Sequence, residues 1–385
     1  MEKRGIGKTI WISAGEASGD MHGALLLAAL RERGVASGLG GMRFTGMGGP
    51  AMEAAGFDKA FDIGELSLMG LTEVLAHLPR ILGLMRRMYR RMRVERPAAV
   101  VCIDSPDFNF FVVRMARRLG IPVFYYICPQ VWAWRTGRVN FLREKVERVL
   151  CILPFEKPFL ARHGLEADYV GHPLTDQIPL AELDAMSPEP GRVLILPGSR
   201  RKEIGSLYDE FIAAARLMRE ARPELTFAVV RAPGVARETL AAHLPDDFPV
   251  ELLEPEARYR EMRRAEAIIA ASGTVTLETA LVGTPTVVAY RLSPMTFAVG
   301  RMIVDVPFIS LPNLILGEEV FPELLQEDAC ARVVAERTLA MLEPERGRAV
   351  RGSLARLREL VGEPGAPERA ASIILERLRG AASGA

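Results

Sequence analysis

The feature that most constrains the fold is a rhythm that runs through the chain twice. Short, almost wholly apolar runs alternate with longer amphipathic stretches. In the first half the runs are Thr9–Ala14, 42–47, 98–103, 123–127 and 149–153, with helical patterns such as 23–33 and 110–119 between them. Runs this apolar have no polar face to offer water, so they suit strands buried on both sides. A parallel sheet covered by helices meets that requirement. The rhythm restarts at Arg192–Leu196, with strands expected at 225–230, 268–271 and 286–289 and helices at 208–220 and 370–378. Between the halves, residues 173–191 are rich in Pro and acidic groups and carry no long periodic run. The expected organisation is an N-terminal domain, 1–172, a linker, 173–191, with a short helical piece near 180–186, and a C-terminal domain, 192–362. A terminal helix and tail, 363–385, follow, with a disordered end from Gly380. The fold class is α/β, with two Rossmann-like domains facing a cleft where ligands bind by default.

With 385 residues, the chain is long enough to bury two such cores. A net charge of +1 shows no global bias toward nucleic acid, and no nucleic-acid partner is expected. The four cysteines form no CxxC pair; Cys102, Cys128 and Cys151 lie in or beside apolar runs and read as buried small hydrophobes, which suits a reducing compartment. None of the five histidines has HxxH or HExxH spacing and no DxD pattern occurs, so no metal is expected, and no other cofactor is expected either. Leaving-group charge would then fall to arginines and helix termini. The N-terminal apolar run reaches Gly15-Glu16 too soon for a signal peptide. No stretch reaches the roughly 18 apolar residues of a spanning helix. Attachment to a membrane surface stays open.

Three loops follow strands and lead into helices. In Ser13-Ala14-Gly15-Glu16-Ala17-Ser18-Gly19-Asp20, the glycines permit a tight turn and close approach of a ligand. Glu16 and Asp20 repel phosphate, so with Ser18 they suit a sugar hydroxyl, or a cap in a purely structural turn. The spacing is not that of a dinucleotide site. Ser272, Gly273 and Thr274 place hydroxyls and amides at a helix start, a seat for pyrophosphate, with an ordinary Ser/Thr cap as the alternative. Glu278 lies one turn on, where a carboxylate can accept both ribose hydroxyls. In Pro197-Gly198-Ser199-Arg200-Arg201-Lys202, Ser199 and Arg200 are candidate ligands for anionic oxygens. The alternative is a solvated charge run, disfavoured because cations at a helix start oppose its dipole.

Asp104 closes the strand Val101-Cys102-Ile103 at the edge that faces the ligand crevice of an open α/β sheet. A carboxylate half-buried there can have a raised pKa and act as general base. Asp107 and Asn109 follow a proline turn, where either can cap the next helix; Asn109 is also a candidate for the acceptor cleft. Trp132 and Trp134, beside Arg135, either stack on a sugar or pack in the core. His172, at the junction of the domains, is as readily structural as catalytic.

Leu71, Val74, Leu75, Leu78, Leu82, Met85 and Met88 or Tyr89 repeat at helical spacing, after Leu68 and Met69. Residues 80–96 hold seven arginines, among them Arg86, Arg87 and Arg90, against one acid, Glu95. Apolar residues beside a cationic strip mark a helix resting on anionic lipid. The alternative is a helix packed on its own sheet with a solvated basic face. A second apolar stretch, Met295 to Ile303, has Arg291 and Arg301 nearby.

Taken together these motifs resemble the lipid-A-disaccharide synthase family. The resemblance is collinear over nearly the whole chain. It is carried by Gly15 to Asp20, Gly48-Gly49-Pro50, Met69-Gly70, Ile103 to Asn109, Gln130 to Trp134, Leu153 to Glu156 and Val170 to Pro173. In the second half it continues through Leu196 to Arg200, Ala271 to Thr274, Glu278, Tyr290, Ser310 to Leu314 and Leu325-Gln326. It implies a GT-B glycosyltransferase fold and an inverting, metal-independent transfer. The donor would be UDP-2,3-diacylglucosamine and the acceptor 2,3-diacylglucosamine 1-phosphate. The products would be a β-1,6-linked disaccharide 1-phosphate and UDP. It further implies a peripheral enzyme on the cytoplasmic side of the inner membrane. The terminal segment would pack on the N-terminal domain or be exchanged in a homodimer. The family's essential aspartate and arginine match Asp104 and Arg200, and Asn313 and Gln326 join the expected donor site. The alternatives are another GT-B enzyme, such as a UDP-GlcNAc epimerase or a transferase with another lipid acceptor, a non-catalytic nucleotide-sugar binding module, or a structural membrane-surface protein.

Overall fold

The computed structural model describes residues 9–38, 40–67, 74–133, 137–303 and 306–383. It divides into two compact units, Met1–Pro173 with Pro364–Ala385, and Leu174–Glu363. The first holds β1 (Thr9–Ala14), β2 (Arg43–Gly48), β3 (Asp58–Asp62), β4 (Ala99–Ile103), β5 (Val123–Tyr126), β6 (Arg148–Cys151) and β7 (Ala167–Tyr169). They form one parallel sheet in the order β3-β2-β1-β4-β5-β6-β7. The second holds β8 (Arg192–Leu196), β9 (Thr226–Val230), β10 (Glu251–Leu253), β11 (Ala267–Ala271), β12 (Thr286–Tyr290) and β13 (Glu323–Leu325). Their order is β10-β9-β8-β11-β12-β13, again parallel throughout.

The apolar runs become the middle of each sheet because only there are both faces covered. Every residue of β4, β8 and β11 is buried. Trp11, Tyr125 and Tyr126 are among the largest side chains fully enclosed. The four strands that the apolar pattern does not announce, β3, β7, β10 and β13, are the four sheet edges. Their residues are mostly half-buried or exposed, so no continuous apolar run marks them.

Helices begin earlier than their apolar stripes. Ala17–Ala36, Pro106–Arg118 and Arg201–Ala221 start directly behind their loops rather than at 23, 110 and 208, because their polar first turns hide the start. Residues 174–191 are not a loose linker. They carry the short helices Leu174–Gln177 and Leu180–Asp184 and belong to the second unit, where Arg263 donates to the carbonyls of Leu183 and Met186, each across 3.0 Å. The terminal helix Ala366–Ser383 packs on Ala17–Ala36 through Ala370, Ala371, Ile374 and Leu375, and Arg369 donates to the Val170 carbonyl at 2.7 Å. The helix runs to Ser383, into the stretch from Gly380 where the sequence predicts a disordered end.

In both sheets the strand order reverses once, between β1 and β4 and between β8 and β11. Ligands of open α/β sheets bind beyond the carboxyl ends of the strands at such reversals. The loops after β1 and β4 carry Glu16 and Asp104. Those after β8 and β11 carry Arg200 and Ser272–Thr274.

Candidate active site

In the first unit the turn after β4 is strained. Asp104 and Ser105 both stand in the left-handed region, with φ of 45° and 44°. Such residues cost on the order of 1–3 kcal/mol each and persist only where their surroundings fix them. Here the main chain of Asp104 is clamped. Its N–H donates to the Tyr126 carbonyl at 3.1 Å, and its own carbonyl accepts from Asn109 Nδ2 at 2.8 Å and from the Tyr125 hydroxyl at 2.7 Å. Gly15 lets the β1 loop approach this turn, since a Cβ there would lie 2.7 Å from Ser105 Cβ. Burial pushes the Asp104 carboxyl up to about 6, with the charge of Glu16 adding to the rise. A carboxyl so poised is half-ionised at about pH 6 and mostly ionised at neutrality, which suits general-base work.

The other first-unit candidates divide. Glu16 and Ser18 are exposed at the start of Ala17–Ala36. Asp20 is buried and accepts the amides of Gly49, Ala51 and Met52 at 2.7, 2.9 and 3.1 Å, so it holds the start of the helix Pro50–Ala54 instead of a sugar. Asn109 is buried too. It accepts from Ser13 Oγ at 2.8 Å and donates to the carbonyl of Ile103 as well as Asp104, so it braces the turn rather than capping a helix or facing a ligand. Asp107 is exposed and paired with Arg138 at 2.6 Å. Trp132 donates to Glu156 at 3.1 Å and meets the Phe155 ring edge-on, which ties its loop down; Trp134 and Arg135 lie outside the described residues. Burial drives His172 down to about 3, helped by His22, which burial itself lowers to about 4, so both imidazoles are neutral.

Glu156 is a carboxyl that sequence reasoning missed. It is buried, accepts the amides of Ile152 and Leu153, and is pushed up to about 7 by burial. Its sequence signals are its place just behind a strand and at the end of the motif Leu153 to Glu156, neither of which sets it apart as a site residue.

In the second unit, Ser199, Arg200, Ser272, Gly273, Thr274 and Glu278 line one cavity of about 280 Å3. Thr274 stands at the start of the helix Val275–Val282, where its side chain makes no capping bond. Arg200 is 82% exposed at the side chain and pairs with Glu203 at 3.2 Å. Glu203 also accepts the amides of Ser199 and Arg200, so the helix start has its own carboxylate and the cations there are not left opposing the dipole alone.

Arg258 is the second residue missed, and nothing in the charge-rich stretch Glu256 to Arg264 sets it apart. It lines the same cavity, with its guanidinium 4.3 Å from the centre of the Tyr259 ring. Its Nε lies 3.3 Å from Glu278 Oε2, within ion-pair range, yet neither buried atom has a hydrogen-bond partner. Burial raises the Glu278 carboxyl and Arg258 partly offsets the rise. A half-buried cation and a buried acid with unused hydrogen-bonding capacity fit a ligand carrying both anionic oxygens and hydroxyls.

Asn313 and Gln326 do not line this cavity. Asn313 is fully buried and makes hydrogen bonds to the main chain of Val320 and Phe321 and to Glu323. Gln326 is bonded at both ends of its amide to the main chain of Leu292. Both secure loops.

On the surface side, Arg86, Arg87 and Arg90 are exposed on the helix Val74–Glu95, Arg87 pairing with Glu65. Leu84, Met88 and Met92 enter the core, so Met88 does not belong to the expected lipid-facing stripe. Leu68, Met69 and Leu71 lie outside the described residues. Among the described residues no helix is long and apolar enough to cross a membrane, and no group of three or more His, Cys, Asp or Glu could hold a metal ion.

The architecture matches solved structures of low identity, which speak to the fold. S. aureus MnaA in complex with UDP superposes with a TM-score of 0.63 at 13% identity, over 96% of this chain and 97% of that one. CalG4, the calicheamicin glycosyltransferase, gives 0.62 at 18% over 97% and 98%. The chain therefore has the GT-B fold. Sequence comparison goes further. The family model of lipid-A-disaccharide synthetase matches residues 10–375. The lipid-A-disaccharide synthase of Geobacter metallireducens is 40% identical over 380 residues, covering 96% of this chain and 97% of that protein. That of Myxococcus xanthus is 38% identical over 378 residues, with coverage of 96% and 97%. A motif set at both sheet reversals, a GT-B fold and full-length relatives agree, and the chain belongs to the lipid-A-disaccharide synthase family.

Proposed function

We propose a division of labour between the two units for the family's reaction, in which 2,3-diacylglucosamine passes from UDP to the 6-hydroxyl of 2,3-diacylglucosamine 1-phosphate. Asp104 takes the proton of that hydroxyl as its oxygen bonds to the donor's anomeric carbon. The bond from that carbon to the UDP phosphate breaks on the opposite face, so the configuration inverts to β. Arg200, Arg258 and the start of the helix Val275–Val282 receive the charge that develops on UDP, and Glu278 holds the ribose hydroxyls. The observation that carries this reading is the clamped, left-handed Asp104 with a carboxyl raised to about 6 at the reversal of the first sheet. The donor half is supported by a cavity at the reversal of the second sheet, and by the UDP in the S. aureus complex of the same fold.

Both substrates are acylated, so the enzyme works where their chains stay in lipid. We place it as a peripheral protein on the cytoplasmic side of the inner membrane. The contact is made by residues 66–96 through Leu68, Met69, Arg86, Arg87 and Arg90. Asp104→Asn tests the chemistry: turnover falls by about 10²–10⁴, the value of a positioned base, while UDP affinity is retained. Turnover within about tenfold of the parent removes Asp104 as the base.

A further inference from the structure

The first unit carries a groove that neither the transfer chemistry nor the core explains. It runs between the helices Val74–Glu95 and Pro106–Arg118 and encloses about 520 Å3. Leu82, Met85, Tyr89, Phe111 and Met115 make its floor. Leu82 and Phe111 are 45% and 44% exposed, an open apolar strip on the outer face of a helical layer. Arg86, Arg90, Arg114 and Arg118 line the same groove, and no acid does. Neighbouring arginines are neutralised: Arg87 by Glu65, Arg91 by Glu95, Arg138 by Asp107. Among the described residues the four in the groove have no ion-pair partner. Arg114 lies instead over the rings of Phe111 and Phe141, at 5.5 and 4.8 Å.

We propose that this groove holds one anionic phospholipid of the bilayer, an acyl chain on the apolar floor and the phosphate among the four guanidiniums. The floor selects a lipid over a free anion, because a bare phosphate leaves the apolar strip in water. The uncompensated cations select an anionic headgroup over a zwitterionic one. The helix Pro106–Arg118 starts at the Asp104–Ser105 turn, so the lipid sits on the element that sets the candidate base. The proposal rests on the reading that this surface meets a membrane, and it extends the contact from residues 66–96 to a second helix.

The test uses the full chain and vesicles of phosphatidylcholine alone or with phosphatidylglycerol, read by co-sedimentation. Arg114→Gln with Arg118→Gln weakens binding to the phosphatidylglycerol vesicles by about tenfold or more, since each arginine at an anionic surface is worth about fivefold. Binding to phosphatidylcholine vesicles, UDP affinity and oligomeric state stay as in the parent. Arg118→Gln alone loses about fivefold and is free of the ring contacts of Arg114, so it decides the matter if the double variant misfolds. Unchanged binding in both variants overturns the proposal, and if Arg87→Gln still weakens binding, the broader membrane reading stands without it. A change in oligomeric state also overturns it, assigning the groove to a second copy. So does displacement from the vesicles by inorganic phosphate at matched ionic strength, which assigns it to a free anion.

Discussion

The hydroxyl of Tyr125 donates to the main-chain carbonyl of Asp104 across 2.7 Å, joining the enclosed middle of the first sheet to the turn that carries the candidate base. Tyr125 is fully buried on β5, so this bond fixes the turn from below while Asn109 fixes it from the helix side. Tyr125→Phe removes one clamp and leaves the other. Stability falls by about 1 kcal/mol, read by denaturant unfolding. Turnover falls severalfold with UDP affinity unchanged, because the carboxyl is less well aimed. Equal turnover in the two proteins contradicts a positioning role.

Asp104 makes the pH dependence of rate and of stability run in opposite directions. Its carboxyl rises from 3.8 to about 6 in the fold, mainly through burial, so the folded protein binds the proton more tightly than the unfolded chain. Below about pH 4 both states hold the proton and the residue is neutral to stability. As pH climbs through about 6 the folded state loses it at a penalty of up to about 3 kcal/mol. Asp104→Asn, which tolerates the left-handed backbone, therefore stabilises the protein at about pH 8 and not at about pH 3. In the parent, turnover rises as pH passes about 6. Glu16→Gln moves that limb to lower pH, and a limb that stays in place denies the contribution of Glu16.

How much of this is legible in the sequence depends on where each residue sits. The central strands β4, β8 and β11 announce themselves because both of their faces are buried. The edges β3, β7, β10 and β13 do not, because half of each looks outward. Asp104 and Ser272–Thr274 are legible because a strand end followed by a helix start defines the binding edge of an α/β sheet. Glu156 and Arg258 are not, since burial and proximity to another carboxyl are tertiary facts. The converse failure is instructive. Asp20, Asn109, Asn313 and Gln326 have the residue types of a ligand site, yet each is consumed by the main chain of its own unit.

The pair Arg258 and Glu278 is the donor site's most exposed weakness. Arg258→Ala leaves the buried Glu278 without its cation and removes a donor from the cavity. UDP affinity, measured by titration calorimetry, falls by about tenfold or more, the worth of a charge-assisted hydrogen bond. Unfolding free energy falls as well. Glu278→Gln in the same molecule restores part of the stability without restoring affinity, because the uncompensated buried charge is gone. Full affinity in Arg258→Ala places UDP elsewhere.

Asn313→Ala separates support from binding. It deprives the buried amides of Val320 and Phe321 of their acceptor. The protein loses about 2–4 kcal/mol of stability, while the folded fraction binds UDP as the parent does. Loss of UDP affinity at unchanged stability puts Asn313 at the nucleotide after all.

The central claim is a transfer of an acylated sugar, with chemistry at Asp104 and the nucleotide at the second sheet. Its most direct test is incubation of the purified chain with UDP-2,3-diacylglucosamine and 2,3-diacylglucosamine 1-phosphate, followed by mass analysis. The account predicts one tetra-acylated disaccharide 1-phosphate and an equal amount of UDP, with both products nearly lost in Asp104→Asn. UDP released without disaccharide, or an epimerised donor in its place, contradicts it.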